Sequence, residues 1–247
     1  ILKKECEKNY IDYLCTPFSK IGADQLEEIG VEFYKVGSGE LTNLPLIEHI
    51  AKKKIPMIVS TGMSTIEEIT ETVELIKKIG TPLVLTHCTS VYPCPYRLSN
   101  LKVIPKLNKL FNIPVGLSDH TNTIYTSFGA VAHGACIIEK HFTLNKNAEG
   151  PDHASSIEPN ELKNLVEGAN AIFEANGDEK KIFDEEKHHS RDSACCDRTH
   201  PRDAGAFGLC RNRKGAQGQT KEAGKRRLLE RQHGGHVRIA GSKRRRK

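Results

Sequence analysis

The chain has 247 residues and a formal net charge of +6, with 37% hydrophobic and 28% charged residues, a length that allows one large α/β domain or two small ones. Its apolar runs are only five to eight residues long, which argues against a membrane-spanning helix, and we expect a cytoplasmic protein. The eight cysteines show no Cys-x-x-Cys spacing and predict free thiols rather than a zinc knuckle or a redox pair.

Short apolar runs alternate with amphipathic segments as far as Lys187. The runs are rich in β-branched and aromatic residues and predict strands at residues 10–15, 33–36, 56–60, 82–86, 113–117 and 135–139. The segments between and after them predict helices at residues 22–29, 44–53, 66–79, 102–110, 123–133 and 158–174, with a further helix before the first strand. Such alternation is typical of parallel βαβ units.

Polar side chains follow every predicted strand, from Thr16 after the first to His141 after the last. A doubly wound sheet concentrates its ligand contacts at one switch point, whereas a TIM barrel collects them from all its strands at one mouth. The fold class that we predict is therefore an α/β fold with a TIM (β/α)8-type barrel over residues 1–187. Because about six βα units are present instead of eight, we expect this barrel to be incomplete, with its first two units missing.

The composition changes near His188. Residues 1–187 hold 20 Lys and Arg against 26 Asp and Glu, whereas residues 188–247 hold 17 against 5 and lack apolar periodicity. This basic tail cannot bury enough apolar surface to offset the entropy of ordering, which predicts disorder. It could be a nucleic-acid-binding arm or an out-of-frame translation, and its composition favours the second interpretation.

Two histidines end successive apolar runs, His120 and His141. Asp119, Glu139 and Asp152 stand near them in the sequence. A single strand-end histidine is commonly a hydrogen-bonded core residue, but two on successive strands make a metal-site candidate.

Seven motifs then make a resemblance specific. They are Cys15-Thr16-Pro17-Phe18-Ser19, Tyr34-Lys35-Val36-Gly37-Ser38-Gly39-Glu40, Ser60-Thr61-Gly62-Met63, His87-Cys88-Thr89-Ser90-Val91-Tyr92-Pro93, Gly116-Leu117-Ser118-Asp119-His120, Glu139-Lys140-His141-Phe142-Thr143 and Gly150-Pro151-Asp152-His153. In this order they resemble the catalytic barrel of the sialic acid synthase family, whose members make N-acetylneuraminic, legionaminic or pseudaminic acid from phosphoenolpyruvate.

The resemblance implies roles for individual residues. The residues that match the phosphoenolpyruvate-binding positions are Thr16, Lys35, Ser38, Ser90 and Ser118, with Ser90 standing where many members carry Asn. His120 and His141 match the metal ligands and imply an octahedral Mn²⁺, or Mg²⁺ or Co²⁺. Glu40 and Asp152 match positions that contact the sugar, and Tyr92 lines the same pocket. The catalytic set is thus Glu40, His120 and His141, while Asp152 could instead be a turn residue after Pro151.

The implied reaction joins C3 of phosphoenolpyruvate to the aldehyde carbon of an N-acylated hexosamine, similar to N-acetylmannosamine, and releases phosphate. A 2,4-diacetamido sugar, as in legionaminic or pseudaminic acid synthases, is the alternative substrate. The intact family implies a homodimer whose partner contributes an Arg from an antifreeze-like domain. Neither that domain nor the family's first two barrel strands is recognisable here, so we expect weak or no activity from this chain. Two other hypotheses remain: a nucleic-acid-binding protein acting through the tail, and another metal-dependent barrel aldolase.

Overall fold

The computed structural model describes residues 1–187 and 238–240. Its α-helices are α1 (Leu2–Lys8), α2 (Lys20–Glu28), α3 (Leu44–Lys52), α4 (Ile66–Ile79), α5 (Val103–Phe111), α6 (Tyr125–Ala132), α7 (Pro159–Ala175) and α8 (Asp184–Lys187). Its strands are β1 (Tyr34–Val36), β2 (Met57–Ser60), β3 (Leu83–Cys88), β4 (Val115–Asp119), β5 (Ile137–Lys140) and β6 (Arg238–Ala240). Short 3₁₀ turns at Ser38–Glu40, Tyr96–Leu98 and His153–Ser155 follow β1, β3 and β5.

The strands form one parallel sheet in which each strand pairs with the next, from β1 to β6. One helix connects each pair of successive strands between β1 and β5, which confirms the βαβ units that the sequence predicts. The carboxyl ends of all the strands therefore lie at the same edge of the sheet.

The sheet is curled, as one contact across its inner face shows. The Nζ atom of Lys35 on β1 lies 3.5 Å from Oε2 of Glu139 on β5, although β2, β3 and β4 separate these strands in the sheet. In a flat sheet the two strands would be about 19 Å apart, or four spacings of about 4.8 Å. Two side chains cannot span that distance, so the strands bend around a common interior. The curvature is that of a barrel wall, and the eight-stranded count stays a prediction.

The two faces of the sheet differ in polarity. The face toward the helices holds the core side chains Tyr34, Val36, Met57, Val59, Leu83, Leu85, Val115, Leu117 and Ile138. Because side chains alternate along a strand, the residues between these point into the curl. Several of them are polar, namely Lys35, Ser60, Thr86, Ser118 and Glu139. The inner face of the sheet is thus largely polar, in contrast to the apolar face that packs against the helices.

Helix α4 shows how local chemistry sets an element's ends. The hydroxyl of Thr65 accepts a hydrogen bond from the Glu68 amide, and the Glu68 carboxylate accepts one from the Thr65 amide. At the other end Gly80 takes a left-handed conformation, with φ +83°. These signals confirm the predicted helix at 66–79. Among the described residues, no helix is long and apolar enough to cross a membrane.

The first predicted strand, at residues 10–15, is wrong over most of its length. Only Cys15 bridges to Tyr34, in the parallel sense. Tyr10 has φ +55°, which breaks extended geometry, and the side chain of Ile11 is exposed. Tyr13 and Cys15 pack against the core, but only Cys15 is paired with the sheet.

The predicted disorder of the tail also differs from the structure at one place. Strand β6 pairs with β5 through Arg238–Ala240, because backbone hydrogen bonding to a sheet edge needs no long apolar run. The other tail residues, and the nucleic-acid hypothesis that depends on them, lie outside the described residues. Residues 1–177 and 238–240 belong to one compact unit, and residues 178–187, with α8, belong to another.

Gly116 lies where β4 packs closely against β5, and we expect any larger residue there to destabilise the fold. A Cβ atom at this position would lie 2.4 Å from the carbonyl oxygen of Ile137 and 3.0 Å from its Cβ. Since both obstacles are parts of the neighbouring strand, Gly116→Ala should lower the free energy of unfolding by about 1–3 kcal/mol. The denaturation midpoint in urea measures this loss. Gly39→Ala is the control, because nothing lies within 4 Å of its added Cβ; equal midpoints for both variants would contradict the prediction.

Candidate active site

The candidate site lies at the carboxyl ends of β3, β4 and β5 and the loops that follow. Each of these strands presents two inward positions that are two residues apart: Cys88 and Ser90, Ser118 and His120, Glu139 and His141. The first of each pair is the last inward residue of its strand, and the second begins the loop. Because alternate residues of an extended chain share a face, this spacing aims three pairs of chemically active side chains at one space.

Ser38, Gly62 and Ser90 form a group that we call the hydroxyl cradle. The amide of Gly62 donates to Oγ of Ser38 at 3.1 Å. A Cβ on Gly62 would lie 2.4 Å from Oγ of Ser90 and 2.7 Å from Oγ of Ser38, so only glycine lets both hydroxyls approach. Two neighbouring hydroxyl groups are donors that suit the oxygen atoms of a phosphate or carboxylate.

Lys35 supplies the positive charge on the inner face. Its side chain is buried, and its ammonium group donates to Oγ of Ser60 at 2.7 Å and to the carbonyl of Val36 at 3.0 Å. The third neighbour is the Glu139 carboxylate, whose Oε2 lies 3.5 Å away and is buried without a hydrogen-bond partner. A buried carboxylate oxygen that accepts no hydrogen bond is costly, and its presence at a mouth indicates a place for a ligand.

Tyr92, His120 and His141 form an aromatic cluster beside the hydroxyl cradle. The ring centroids of His120 and His141 are 5.3 Å apart, and Tyr92 lies 4.2 Å from the first and 5.7 Å from the second. His120 is buried, and its Nδ1 donates to the carbonyl of Thr89 at 3.0 Å. Burial lowers the pKa of His120, although the Thr89 carbonyl opposes the shift, so the ring is neutral near pH 7 and its Nε2 keeps a lone pair.

The histidine pair fits a divalent metal ion. A metal–nitrogen bond of about 2.1 Å puts each ring centroid about 3 Å from the ion, which is compatible with the observed separation of 5.3 Å. Fixing Nδ1 of His120 on a carbonyl is the usual way to present Nε2 to a metal. No group of three or more His, Cys, Asp or Glu side chains that could hold an ion occurs in the part of the chain that the structure describes.

Asp119 and Lys140 point away from this site, into the layer between the sheet and α6. Their charged atoms are 3.2 Å apart, and the Asp119 carboxylate also accepts hydrogen bonds from Thr121, Thr126 and Ser127. Of the three acids that stand near the histidines in the sequence, Asp119 thus stabilises the packing of α6 on the sheet, and Glu139 faces the inside of the curled sheet. His87 likewise faces the helices, and its Nε2 contacts the carbonyl of Ser99 at 2.9 Å.

The remaining predicted residues lie on loops or beside the cradle. Ser118 is buried and stands opposite Glu139 in the β4–β5 ladder, and the methyl group of Thr16 lies 3.9 Å from the position of a Cβ on Gly37. Glu40 accepts a hydrogen bond from Asn43 at 2.8 Å. The carbonyl of Asp152 accepts hydrogen bonds from the hydroxyls of Ser155 and Ser156. Contact of Glu40 and Asp152 with a sugar stays a prediction.

Two site residues, Ser60 and Cys88, stand inside the sequence motifs without having been singled out, and Glu139 was noted there only as an acid near the histidines. Ser60 binds Lys35 and also contacts Oγ1 of Thr86 at 2.7 Å. Cys88 touches the hydroxyl cradle, and Glu139 faces Lys35. The usable signal was the two-residue spacing at the strand ends, which puts Cys88 with Ser90 and Glu139 with His141.

Comparison with known proteins places this site in context. Residues 1–181 match the family model described as the NeuB family. The chain is 46% identical over 178 residues to N,N'-diacetyllegionaminic acid synthase of Campylobacter jejuni, a match that covers 71% of this chain and 52% of that protein. It is 36% identical over 181 residues to N-acetylneuraminate-9-phosphate synthase of Homo sapiens, which covers 73% of this chain and 50% of that protein.

A solved structure agrees with these matches. The crystal structure of N-acetylneuraminic acid synthetase from Leptospira borgpetersenii superposes with a TM-score of 0.73 at 36% identity, covering 76% of this chain and 66% of that one. The curled parallel sheet is therefore similar to that of sialic acid synthases. The chain spans about half the length of the curated relatives that it matches.

Proposed function

The chain belongs to the NeuB family, and from that premise we propose that it carries part of the catalytic barrel of a nonulosonic acid synthase. The proposed reaction condenses phosphoenolpyruvate with an acylamino sugar and releases phosphate. One observation supports it above the others: a buried lysine, a hydroxyl cradle and a histidine pair open on the same inner face of one curled sheet. These groups match the phosphate, the carboxylate and the carbonyl that the two substrates bring.

Phosphoenolpyruvate carries a phosphate and a carboxylate, and a cation with several hydroxyl donors would bind it. Lys35 offers a buried ammonium group that would form charge-assisted hydrogen bonds to the substrate. Ser38, Ser90 and Ser118 would donate hydroxyl protons, and Thr16 would close the rim. Because these donors are fixed, they would orient the enol of phosphoenolpyruvate as well as bind it, and that orientation would increase the rate.

The condensation begins when C3 of phosphoenolpyruvate forms a bond to the aldehyde carbon of the sugar, whose oxygen becomes a hydroxyl group. A divalent ion on His120 and His141, such as Mn²⁺, would polarise that aldehyde. Positive charge develops at C2, where the Glu139 carboxylate, whose Oε2 accepts no hydrogen bond, would stabilise it. Water adds to C2 and gives up one proton, which balances the proton taken up by the sugar's oxygen. The bond between C2 and the phosphate oxygen then breaks as the C2 hydroxyl loses its proton to the leaving phosphate, and a 2-keto acid and phosphate result. Glu40, Asp152 and Tyr92 would hold the sugar.

The sugar itself has two candidates. N-acetylmannosamine suits the neuraminate reaction, and the human relative carries a neuraminate-9-phosphate synthase name. The relative from Campylobacter jejuni, at 46% identity, is named for diacetyllegionaminic acid, which favours a 2,4-diacetamido sugar. Parallel assays with the two sugars decide between them.

The proposal is tested by ligand binding and phosphate release. Mn²⁺ binding by electron paramagnetic resonance and phosphoenolpyruvate binding by calorimetry come first, because the chain spans about half of its relatives and its turnover is expected to be slow. We expect both ligands to bind, and we expect phosphate release to require Mn²⁺ and both substrates. His120→Ala and His141→Ala should each weaken Mn²⁺ binding by about 10- to 100-fold or more.

His133→Ala serves as the matched control, because this histidine is exposed at the end of α6, away from the pair. It should bind Mn²⁺ as the wild type does. Failure of the wild-type protein to bind phosphoenolpyruvate, or phosphate release that survives chelation, would contradict the proposed function.

A further inference from the structure

Cys88 occupies the point where the hydroxyl cradle meets the histidine pair. Its sulfur lies 3.4 Å from Oγ of Ser38, which donates to it, and 3.7 Å from Oγ of Ser90. On its other side the same sulfur lies 3.8 Å from Nδ1 of His120. Only 7% of the residue is exposed, so the thiol is packed between the two halves of the site.

The neighbours of Cys88 have few other ways to arrange themselves. Ser38 accepts from the Gly62 amide and donates to the thiol, which fixes its rotamer at both ends. The ring of His120 is held by the Thr89 carbonyl at 3.0 Å and rests against the sulfur. Because the sulfur fills the gap between serine and imidazole, a shift of either side chain must displace the other or open a void.

We propose that Cys88 is a positioning residue that couples the hydroxyl cradle to the histidine pair. The inference rests on the proposed function, since it concerns the same two ligands. When an anion occupies the cradle, the hydroxyl protons of Ser38 and Ser90 turn toward it and the thiol donates its own proton to the Ser38 oxygen. The sulfur then stays fixed against the His120 ring and holds that ring in its ligating position. Binding at one half therefore lowers the cost of ordering the other half, and the coupling is reciprocal. The thiol itself undergoes no chemistry.

The experiment measures this coupling as a ratio. Mn²⁺ affinity is determined by electron paramagnetic resonance with and without saturating phosphoenolpyruvate. In the wild-type protein the anion should raise Mn²⁺ affinity about fivefold or more, a coupling of ordinary allosteric size. In Cys88→Ala each ligand should still bind, but the ratio should fall to less than half of the wild-type value. The charge attraction between the two ligands, which does not depend on the thiol, accounts for the remainder.

Cys94→Ala is the matched control. Cys94 is 6% exposed and its sulfur contacts Oγ of Ser99 at 3.9 Å, so it is an equally buried thiol that touches neither serine of the cradle. Its coupling ratio should equal that of the wild type. If Cys88→Ala does not fold, Cys88→Ser decides, since its smaller oxygen leaves the gap unfilled and should also lower the ratio.

The outcomes separate the two proposals. A wild-type protein that binds both ligands while Cys88→Ala and Cys88→Ser keep the full ratio overturns the role of Cys88 alone. A wild-type protein that binds neither ligand overturns the proposed function and this inference together.

Discussion

Replacing Lys140 with methionine is expected to lower the free energy of unfolding by about 3 kcal/mol or more, the usual cost of breaking a buried ion pair from one side. The Lys140 side chain is fully buried, and its Nζ lies 3.2 Å from the Asp119 carboxylate, which is also buried. Burial lowers the pKa of Lys140, and the nearby Asp119 opposes that shift. Methionine fills similar space but leaves the Asp119 charge without its cation.

A surface lysine provides the matched comparison. Lys163 pairs with Glu167 at 3.8 Å on α7, with both side chains mostly exposed, so Lys163→Met should cost about 0.5 kcal/mol or less. Urea denaturation of both variants measures the two losses. A Lys140→Met protein as stable as Lys163→Met would show that the pair contributes nothing. Asp119→Asn combined with Lys140→Met should recover part of the loss, because no uncompensated charge remains.

The same ion pair has a consequence for the site. Asp119 and Lys140 are partners in the β4–β5 ladder, and each directly precedes one of the two histidines. Since alternate residues face opposite sides, fixing this pair on the helix face fixes His120 and His141 on the inner face. A folded Lys140→Met protein should therefore also bind Mn²⁺ more weakly than the wild type.

Replacing Lys35 with methionine is expected to weaken phosphoenolpyruvate binding by about 100-fold, because hydrogen bonds to charged groups contribute about 1.5–3 kcal/mol each. The variant removes the buried ammonium group from the mouth of the curl. It also takes away the cation 3.5 Å from the Glu139 carboxylate, which would then repel an anionic ligand. Calorimetric titration with phosphoenolpyruvate measures the loss directly.

Lys106→Met controls for the general loss of a positive charge. Lys106 is exposed on α5, on the helix layer, and its replacement should leave phosphoenolpyruvate affinity unchanged. Equal affinity of Lys35→Met and the wild type would remove Lys35 from the site.

Much of the fold could be predicted because its signals are local. Thr65 and Glu68 cap α4 within one turn, and Gly80 ends it with a left-handed residue. Strands β1 to β5 could also be predicted, because each is a short apolar run rich in β-branched residues, which is again a local signal. The prediction of a strand at residues 10–15 was wrong, because nothing in the local sequence distinguishes a paired strand from this segment, in which Tyr10 has a left-handed backbone conformation. Pairing depends on a neighbour that a short window of sequence does not contain.

The approach of the two histidines could be predicted from the sequence, but the contacts of the residues around them could not. His120 and His141 end successive strands, and parallel strands put their ends side by side, so their approach to 5.3 Å follows from order in the chain. The partners of Asp119 do not, because Lys140 comes from the next strand and Thr126 and Ser127 come from α6. Nor does the place of Cys88, whose role comes from touching Ser38 and His120, two residues far apart in the sequence.

By itself, then, the sequence determined which side chains stand at the strand ends, because capping and the two-residue alternation act over a few neighbouring residues. The tertiary structure alone decided which of those side chains meet. Curling the sheet brings Lys35 on β1 to Glu139 on β5, and the packing of α6 on the sheet gives Asp119 its hydroxyl partners Thr126 and Ser127. The reason is physical: the buried charges must find partners, and only the packing of the curled sheet and its helices fixes which partners lie within reach.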